Sequence, residues 1–155
     1  MLFKCLNGWG GGIKPGEMPV GAAIREFEEE TRRDPNQPGS GIILRPEELK
    51  LMAILEARRY DKKGDIKTTL IYVYIVLRPS WDIPSTKEMA NPQRYPIASL
   101  PFAEMMLADK FWVPYIAFGK KVKVKFLYSN DFKKLHGQPD IKEVMSFPEE
   151  KTGSH

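Results

Sequence analysis

The segment at residues 19–33 restricts the fold most, because one set of its residues has the spacing of an amphipathic helix. On a helical projection these residues fall within about 100° of one another and would form the face turned to the core. They are Val20, Ala23, Ile24, Phe27 and Thr31. Pro19 suits the first helical turn, and Asp34 followed by Pro35 is expected to stop the helix.

Two later segments have the composition of β-strands and are joined by a charged turn at residues 61–65. The first runs from Lys50 to Tyr60 and the second from Ile66 to Leu77. Residues 70–77 are β-branched and aromatic without alternation, which predicts a strand buried on both faces. Lysines alternate with apolar residues at 121–126, as on a half-exposed strand.

A second helix is predicted from about Phe102 to Phe118, and Pro114 should kink or end it. Strands separated by helices indicate a mixed α/β fold. The length of 155 residues fits one domain. We expect this domain at residues 1–147, followed by a flexible tail at 148–155.

Composition excludes several classes of protein. The longest apolar run, residues 70–77, is too short to span a bilayer, and residues 1–12 have no secretory pattern. We therefore expect an intracellular, cytoplasmic protein without a membrane partner, with the nuclear and mitochondrial compartments also open. The single cysteine, Cys5, rules out an internal disulfide. A net charge of +4 is mild, and the lysines at 120–125 fit a solvated strand face, so no stable nucleic-acid partner is expected.

Three glutamates lie close together on the predicted first helix. Glu26 and Glu30 are four positions apart and Glu29 is three positions from Glu26, so their carboxylates can converge on one point. Their mutual repulsion and the negative end of the helix dipole would destabilise an isolated helix. A divalent cation would reverse both effects, since Mg²⁺ binds oxygen ligands and substrate phosphates together. The alternative interpretation is a solvated acidic face.

The spacing around these glutamates resembles the sequence motif of the Nudix hydrolases, G-x5-E-x7-R-E-U-x-E-E-x-G-U, where U is a bulky apolar residue. At residue frequencies of roughly 5–7%, six fixed positions would match by chance about once in 10⁷ windows. The matching residues are Gly11, Glu17, Arg25, Glu26, Phe27, Glu29 and Glu30. Arg32 and Arg33 replace the motif's Gly and apolar residue, which predicts a different helix exit, supplied by Pro35.

The chain also resembles one branch of this family, the eukaryotic MutT homologues that hydrolyse oxidised purine nucleoside triphosphates. Similar segments occur through most of residues 7–128. They are Asn7–Gly11, Glu88–Met89, Pro101–Met105, Phe111–Pro114 and Lys120–Phe126. The resemblance implies an α/β/α sandwich with a central mixed sheet and the motif as a loop–helix–loop. The family's strand region before Asn7 is missing, so an uncovered strand edge could pair with a second molecule, and we expect a monomer or weak dimer.

The resemblance implies an enzyme that uses Mg²⁺, with Mn²⁺ able to substitute, and cleaves a nucleoside triphosphate to the monophosphate and pyrophosphate. Arg25 would orient a glutamate, Glu17 would support the loop, and Glu88 or a motif glutamate would take a proton from the attacking water. The expected catalytic residues are Glu17, Arg25, Glu29 and Glu88. The expected cation ligands are the carbonyl of Gly10 and the carboxylates of Glu26, Glu29, Glu30 and Glu88.

The resemblance also implies which residues bind the nucleotide. Asn7 would hydrogen-bond the purine, and the glycine-rich turn would approach the phosphates. Met106 and Ala108 stand where the family has a Trp and the first of two aspartates, so we expect relaxed or altered base choice. The expected substrate-binding residues are Asn7, Trp9, Gly10, Gly11, Gly12, Met106 and Asp109.

Three functions therefore stay open at this point. The preferred one is removal of oxidised or altered purine nucleoside triphosphates from the nucleotide pool. The second is a Nudix reaction on another nucleoside diphosphate derivative, such as a dinucleotide, a nucleotide sugar or a capped RNA, which Met106 and Ala108 motivate. The third is a truncated nucleotide-binding module without catalysis.

Overall fold

The computed structural model of the chain describes residues 10–77, 83–87 and 89–148. Contacts divide these residues into two compact units, and each is described by itself. The first unit contains residues 51–73 and 95–148, and the second contains residues 10–50, 74–77, 83–87 and 89–94. Asn7, Trp9, Glu88 and the predicted tail after residue 148 lie outside the described residues. The single-domain prediction stays a prediction.

The described residues form two α-helices and a four-stranded sheet. The helices are α1 (Pro19–Glu30) and α2 (Asp109–Ala117), and the strands are β1 (Leu49–Tyr60), β2 (Ile66–Val76), β3 (Lys121–Tyr128) and β4 (Asp140–Val144). The strand order is β2–β1–β3–β4. Strands β1 and β3 are parallel, whereas β3 and β4 are antiparallel, so the predicted mixed α/β class is confirmed. Strand β4 was not predicted.

The core of the first unit involves α2 and one face of the sheet. At residues 121–126 of β3 the apolar residues are buried while the alternating lysines are partly or fully exposed, which confirms the predicted half-exposed strand. In the parallel register, Ala53 and Leu55 of β1 lie beside Val122 and Val124 of β3. Trp112 of α2 is buried in the same cluster. Burial of these side chains is the main favourable contribution to the stability of this unit.

Strand β2 lies at the edge of the sheet, and the prediction that residues 70–77 are buried on both faces is wrong. Leu70 and Leu77 are 55% and 57% exposed, and residues 72–76 are only partly buried. The strand buried on both faces is β1, in which Leu51–Leu55 are all buried. Both segments are apolar without alternation, and β1 becomes central because it pairs with β3.

Helix α1 begins at Pro19 as predicted but ends before Asp34. Glu30 is its last residue, and Thr31 leaves the helical conformation with φ −97° and ψ 4°. The Thr31 hydroxyl donates to the Phe27 carbonyl at 2.7 Å and accepts the Ile42 N–H at 2.8 Å. The helix exit is therefore fixed by Thr31, and the prediction that Pro35 supplies it is wrong.

Helix α2 is shorter than the predicted second helix. A 3₁₀ turn occupies Phe102–Glu104, and the α-helix begins only at Asp109. The buried Ala108 precedes it, and its N–H donates to the Tyr128 hydroxyl at 2.7 Å. Pro114 does not end α2, which continues to Ala117.

Within residues 10–77, 83–87 and 89–148, no helix has the length and apolar character that crossing a membrane requires.

Candidate functional site

The glycine-rich loop and helix α1 bring the motif residues of the second unit together. The loop turns at Gly16, whose φ of +77° is rarely adopted by a residue with a Cβ. Pro19 then occupies the first helical turn, where its missing N–H removes no helical hydrogen bond. Ala22 and Phe27 of α1 are buried, which leaves the charged motif residues partly exposed on the other sides of the helix.

Arg25 is the centre of a charged network that joins this loop to α1. Its Nε and Nη2 atoms donate to the two carboxylate oxygens of Glu17 at 2.7 and 3.0 Å. Its Nη1 atom donates to Glu26 at 2.5 Å and to Glu29 at 3.3 Å. Nη2 also donates to the carbonyl of Gly12 at 2.8 Å. Two parallel bonds between a guanidinium and a carboxylate fix orientation as well as distance, so Arg25 holds Glu17 in one geometry.

The network also controls protonation. The hydrogen bonds from Arg25, followed by the bond from the Lys14 N–H, lower the pKa of Glu17 to about 2. The bonds to Glu17 and then to Glu26 raise the pKa of Arg25 above its ordinary value. Glu17 is therefore a carboxylate, and Arg25 a cation, throughout the physiological pH range.

Glu30 accepts hydrogen bonds through both its side chain and its main chain. Its carboxylate accepts the N–H of Gly10 at 2.9 Å, across twenty positions of sequence. Its main-chain carbonyl accepts the hydroxyl of Thr86 at 2.7 Å. The last carbonyls of a helix lack N–H partners within the helix, so this side-chain bond satisfies one of them. The contact of Thr86 was not predicted from the sequence, because no local pattern indicates a contact 56 positions away.

Gly11 lies directly against the carboxylate of Glu26. A Cβ at this position would overlap the Glu26 carboxylate group, so only glycine fits without displacing that side chain. The carboxylate is the far end of a flexible side chain, so the contact shows how closely the loop approaches Glu26 without making glycine necessary. Gly10 and Gly12, also predicted to bind substrate, are exposed in the same loop.

The glutamates predicted as cation ligands are neighbours, but they do not surround a common point. Among the residues that the structure describes, no three His, Cys, Asp or Glu side chains form a group that could hold a metal ion. Glu26 and Glu29 contact Arg25, while Glu30 contacts Gly10. Their carboxylates are still the hard oxygen ligands that Mg²⁺ prefers. Convergence of these carboxylates on one cation stays a prediction.

Arg32, which replaces the motif's glycine, pairs with Glu28 one helical turn earlier. Its guanidinium donates from Nε at 2.9 and 3.0 Å and from Nη2 at 2.5 Å. The buried Glu28 also accepts the Gly41 N–H at 2.9 Å, and these bonds, led by that of Arg32, lower the Glu28 pKa. Gly41 lies so close to the Glu28 carbonyl that a Cβ would overlap it. The pair was not predicted, although the i,i+4 spacing of Glu28 and Arg32 is a sequence signal that indicates it.

Two of the predicted base-binding residues belong to the first unit, at the beginning of α2. Met106 is partly buried against the hydrophobic core. The Asp109 carboxylate accepts the Met106 N–H at 3.2 Å, and burial raises the Asp109 pKa. Each residue therefore has a structural contact at the helix start, and base binding by them stays a prediction.

Comparisons with other proteins identify no family for this chain. No protein-family model matches it, and no curated protein matches it significantly. Function is therefore inferred from the motif and from the contacts of its residues.

Proposed function

We propose that this chain is a Nudix hydrolase that uses Mg²⁺ to cleave oxidised or altered purine nucleoside triphosphates to the monophosphate and pyrophosphate. The finer fold assignment, an α/β/α sandwich with a loop–helix–loop motif, is part of the proposal. The observation that carries it is the Arg25 network. Residues that the motif separates along the sequence, Glu17, Arg25 and Glu29, meet through one guanidinium.

A solvated acidic face accounts poorly for this network. The side chains of Glu17 and Glu26 are each only 18% exposed, and both bind Arg25, whose side chain is 20% exposed. Gly11 leaves the space that the Glu26 carboxylate occupies. A glutamate that merely keeps a helix soluble does not need to share an arginine with two other glutamates. The hydrogen bonds to Arg25 hold these carboxylates in fixed positions, as binding or catalysis requires.

The donor set fits a hard divalent cation. Mg²⁺ or Mn²⁺ would be held by Glu26, Glu29, Glu30 and the Gly10 carbonyl, with Glu88 as a further candidate outside the described residues. When bound, the cation neutralises the polyphosphate and makes the attacking water more acidic.

The protein's own groups supply the rest of the chemistry. Arg25 orients Glu26 and Glu29, and Glu17 holds Arg25. The glycine-rich loop allows close approach of phosphate, because Gly10, Gly11 and Gly12 present no Cβ. Either Glu29 or Glu88 would take the proton from the attacking water.

The test is pyrophosphate release from a panel of oxidised and normal purine nucleoside triphosphates, with products separated by liquid chromatography. We expect turnover with Mg²⁺, loss of turnover with a chelator, and a decrease in kcat of about 100-fold for Glu30→Gln. Glu47→Gln is the matched control, because the Glu47 side chain is 66% exposed and lies outside the network. No turnover of any substrate, or full activity of Glu30→Gln, would contradict the proposal.

A second candidate is a Nudix reaction on another nucleoside diphosphate derivative. Asp109 favours it, since this carboxylate is engaged by the Met106 N–H and partly desolvated at the start of α2. A base-binding role would require Asp109 to accept a different partner. Products without pyrophosphate, obtained from dinucleotides, nucleotide sugars or capped RNA, would favour this reaction over the first.

A further inference from the structure

Thr86 lies in a turn whose hydrogen bonds make it a defined structure. Its N–H donates to the Met89 carbonyl and its Oγ1 accepts the Met89 N–H, both at 3.1 Å. The Asn91 N–H donates to the Ser85 hydroxyl at 2.9 Å. Asn91 has a φ of +53°, in the left-handed region that Asn tolerates better than most residues. Two nested sets of hydrogen bonds therefore close the turn, with the Thr86–Met89 bonds inside the Ser85–Asn91 bond.

One further bond attaches this turn to helix α1. The Thr86 hydroxyl, while accepting from Met89, donates its proton to the main-chain carbonyl of Glu30 at 2.7 Å. A hydroxyl has one proton and two lone pairs, so both bonds can exist together and each orients the other. The turn and the last residue of α1 are thereby connected through one oxygen atom.

The connected residue is the one whose carboxylate reaches the glycine-rich loop. Glu30 binds Thr86 through its carbonyl and the Gly10 N–H through its carboxylate. A displacement of the Glu30 main chain would therefore also displace the carboxylate. Catalytic groups tolerate little displacement, since an error of about 1 Å can cost on the order of 100-fold in rate.

We propose that Thr86 is a positioning residue that sets the placement of the Glu30 carboxylate through the Glu30 main-chain carbonyl. This inference rests on the proposed function, in which Glu30 is a cation ligand. Thr86 acts through Glu30 and contributes no atom to the reaction. The turn residues 85–87 and 89–91 and the glycine-rich loop are consequently linked through one residue of α1.

Three variants separate this role from a general effect on the fold. Thr86→Val keeps the branched shape and removes the hydroxyl, whereas Thr86→Ser keeps the hydroxyl. Ser85→Ala is the matched control, because it removes the bond to Asn91 and leaves the bond to Glu30 intact. Thermal unfolding of all three variants identifies any that fail to fold.

The first measurement needs no activity. The NMR signal and solvent exchange of the Gly10 amide report on its bond to the Glu30 carboxylate. We expect Thr86→Val to shift this signal and speed its exchange, with Thr86→Ser and Ser85→Ala close to wild type. An unchanged Gly10 amide in folded Thr86→Val would overturn the inference, whether or not the chain is an enzyme.

The second measurement is kinetic and uses Mn²⁺ binding as a companion assay. Thr86→Val should lower kcat on the order of tenfold while KM changes little, and it should weaken Mn²⁺ binding. Thr86→Ser should recover most of both. A wild-type chain without turnover would refute the proposed function, and a Thr86→Val variant with wild-type kcat and Mn²⁺ affinity in an active enzyme would refute the role of Thr86.

Discussion

Helices α1 and α2 are attached to their units by different kinds of contact. Helix α2 places the buried Trp112 in an apolar cluster with β1 and β3. Helix α1 buries Ala22 and Phe27 but is also held by directional bonds, from Arg25 to the loop before it and from the Gly41 N–H to Glu28. Apolar contacts depend on volume, whereas charged hydrogen bonds depend on geometry and protonation. Different substitutions and conditions should therefore disrupt the contacts of the two helices.

Truncation of the α2 anchor should have the largest effect on stability. Trp112→Ala is expected to lower the free energy of unfolding by about 3–5 kcal/mol, through lost burial and the cavity left behind. Urea unfolding followed by circular dichroism measures this change. Phe118→Ala is the control at the end of the same helix, because Phe118 is 76% exposed and should cost little. Equal effects of the two substitutions would refute the apolar account of α2.

A conservative change at the α1 anchor should instead affect activity. Arg25→Lys keeps the charge but cannot bind Glu17 through two parallel bonds while also reaching Glu26. We expect kcat to decrease about 100-fold with a smaller change in stability than Trp112→Ala. Steady-state kinetics and thermal unfolding test this together. Arg45→Lys is the control, since the Arg45 side chain is 71% exposed. Wild-type kcat for Arg25→Lys would show that the bidentate geometry is unnecessary.

The exit from α1 should be sensitive to charge as well. Arg32→Gly restores the residue of the sequence motif but leaves the buried Glu28 without its arginine. We expect a lower Tm than wild type, by less than Trp112→Ala causes, because Glu28 keeps its bond from the Gly41 N–H. Differential scanning calorimetry measures the shift. A Tm equal to or above that of wild type would mean that the Arg32 pair contributes nothing to the helix exit.

The smallest expected effects are pH dependences of opposite sign. The folded-state pKa of Glu17 is lowered to about 2 from 4.5, so its contribution is present above 4.5 and is lost as pH falls toward 2. Burial raises the pKa of Asp109 above 3.8, so ionisation of this carboxyl reduces stability as pH rises through that raised value.

Profiles of Tm against pH for two variants test these signs. Glu17→Gln should lose stability relative to wild type at neutral pH and approach it in acid. Asp109→Asn should differ in the other direction, gaining relative to wild type as pH rises. Parallel profiles for the two variants would contradict the assignment of different electrostatic roles to α1 and α2.

Features encoded by local sequence patterns were predictable. Pro19 marked the start of α1, the lysine alternation marked β3, and the limits of β1 and β2 were each within one residue of prediction. Such features depend on helical or strand periodicity over a few residues. The resemblance implied that Arg25 would orient a glutamate, but the bonds from Arg25 to Glu17 were not predicted.

Features that depend on distant contacts were not predictable in the same way. Residues 70–77 have a buried-strand composition, yet β2 lies at the sheet edge, because β1 and not β2 pairs with β3. The late start of α2 coincides with the bond from Ala108 to Tyr128, twenty positions away. The bond between Thr86 and Glu30 spans 56 positions. Each contact depends on which distant segment of the chain packs against the residue, and local composition does not specify that segment.

The most direct test of the central claim is a crystal structure of the protein with Mn²⁺ and a non-hydrolysable nucleoside triphosphate, in which anomalous scattering locates the cation. We predict Mn²⁺ bound by carboxylates of Glu26, Glu29 and Glu30 and in contact with the triphosphate. Mn²⁺ bound elsewhere, or absent while Glu26 and Glu29 keep their contacts with Arg25, would contradict the account.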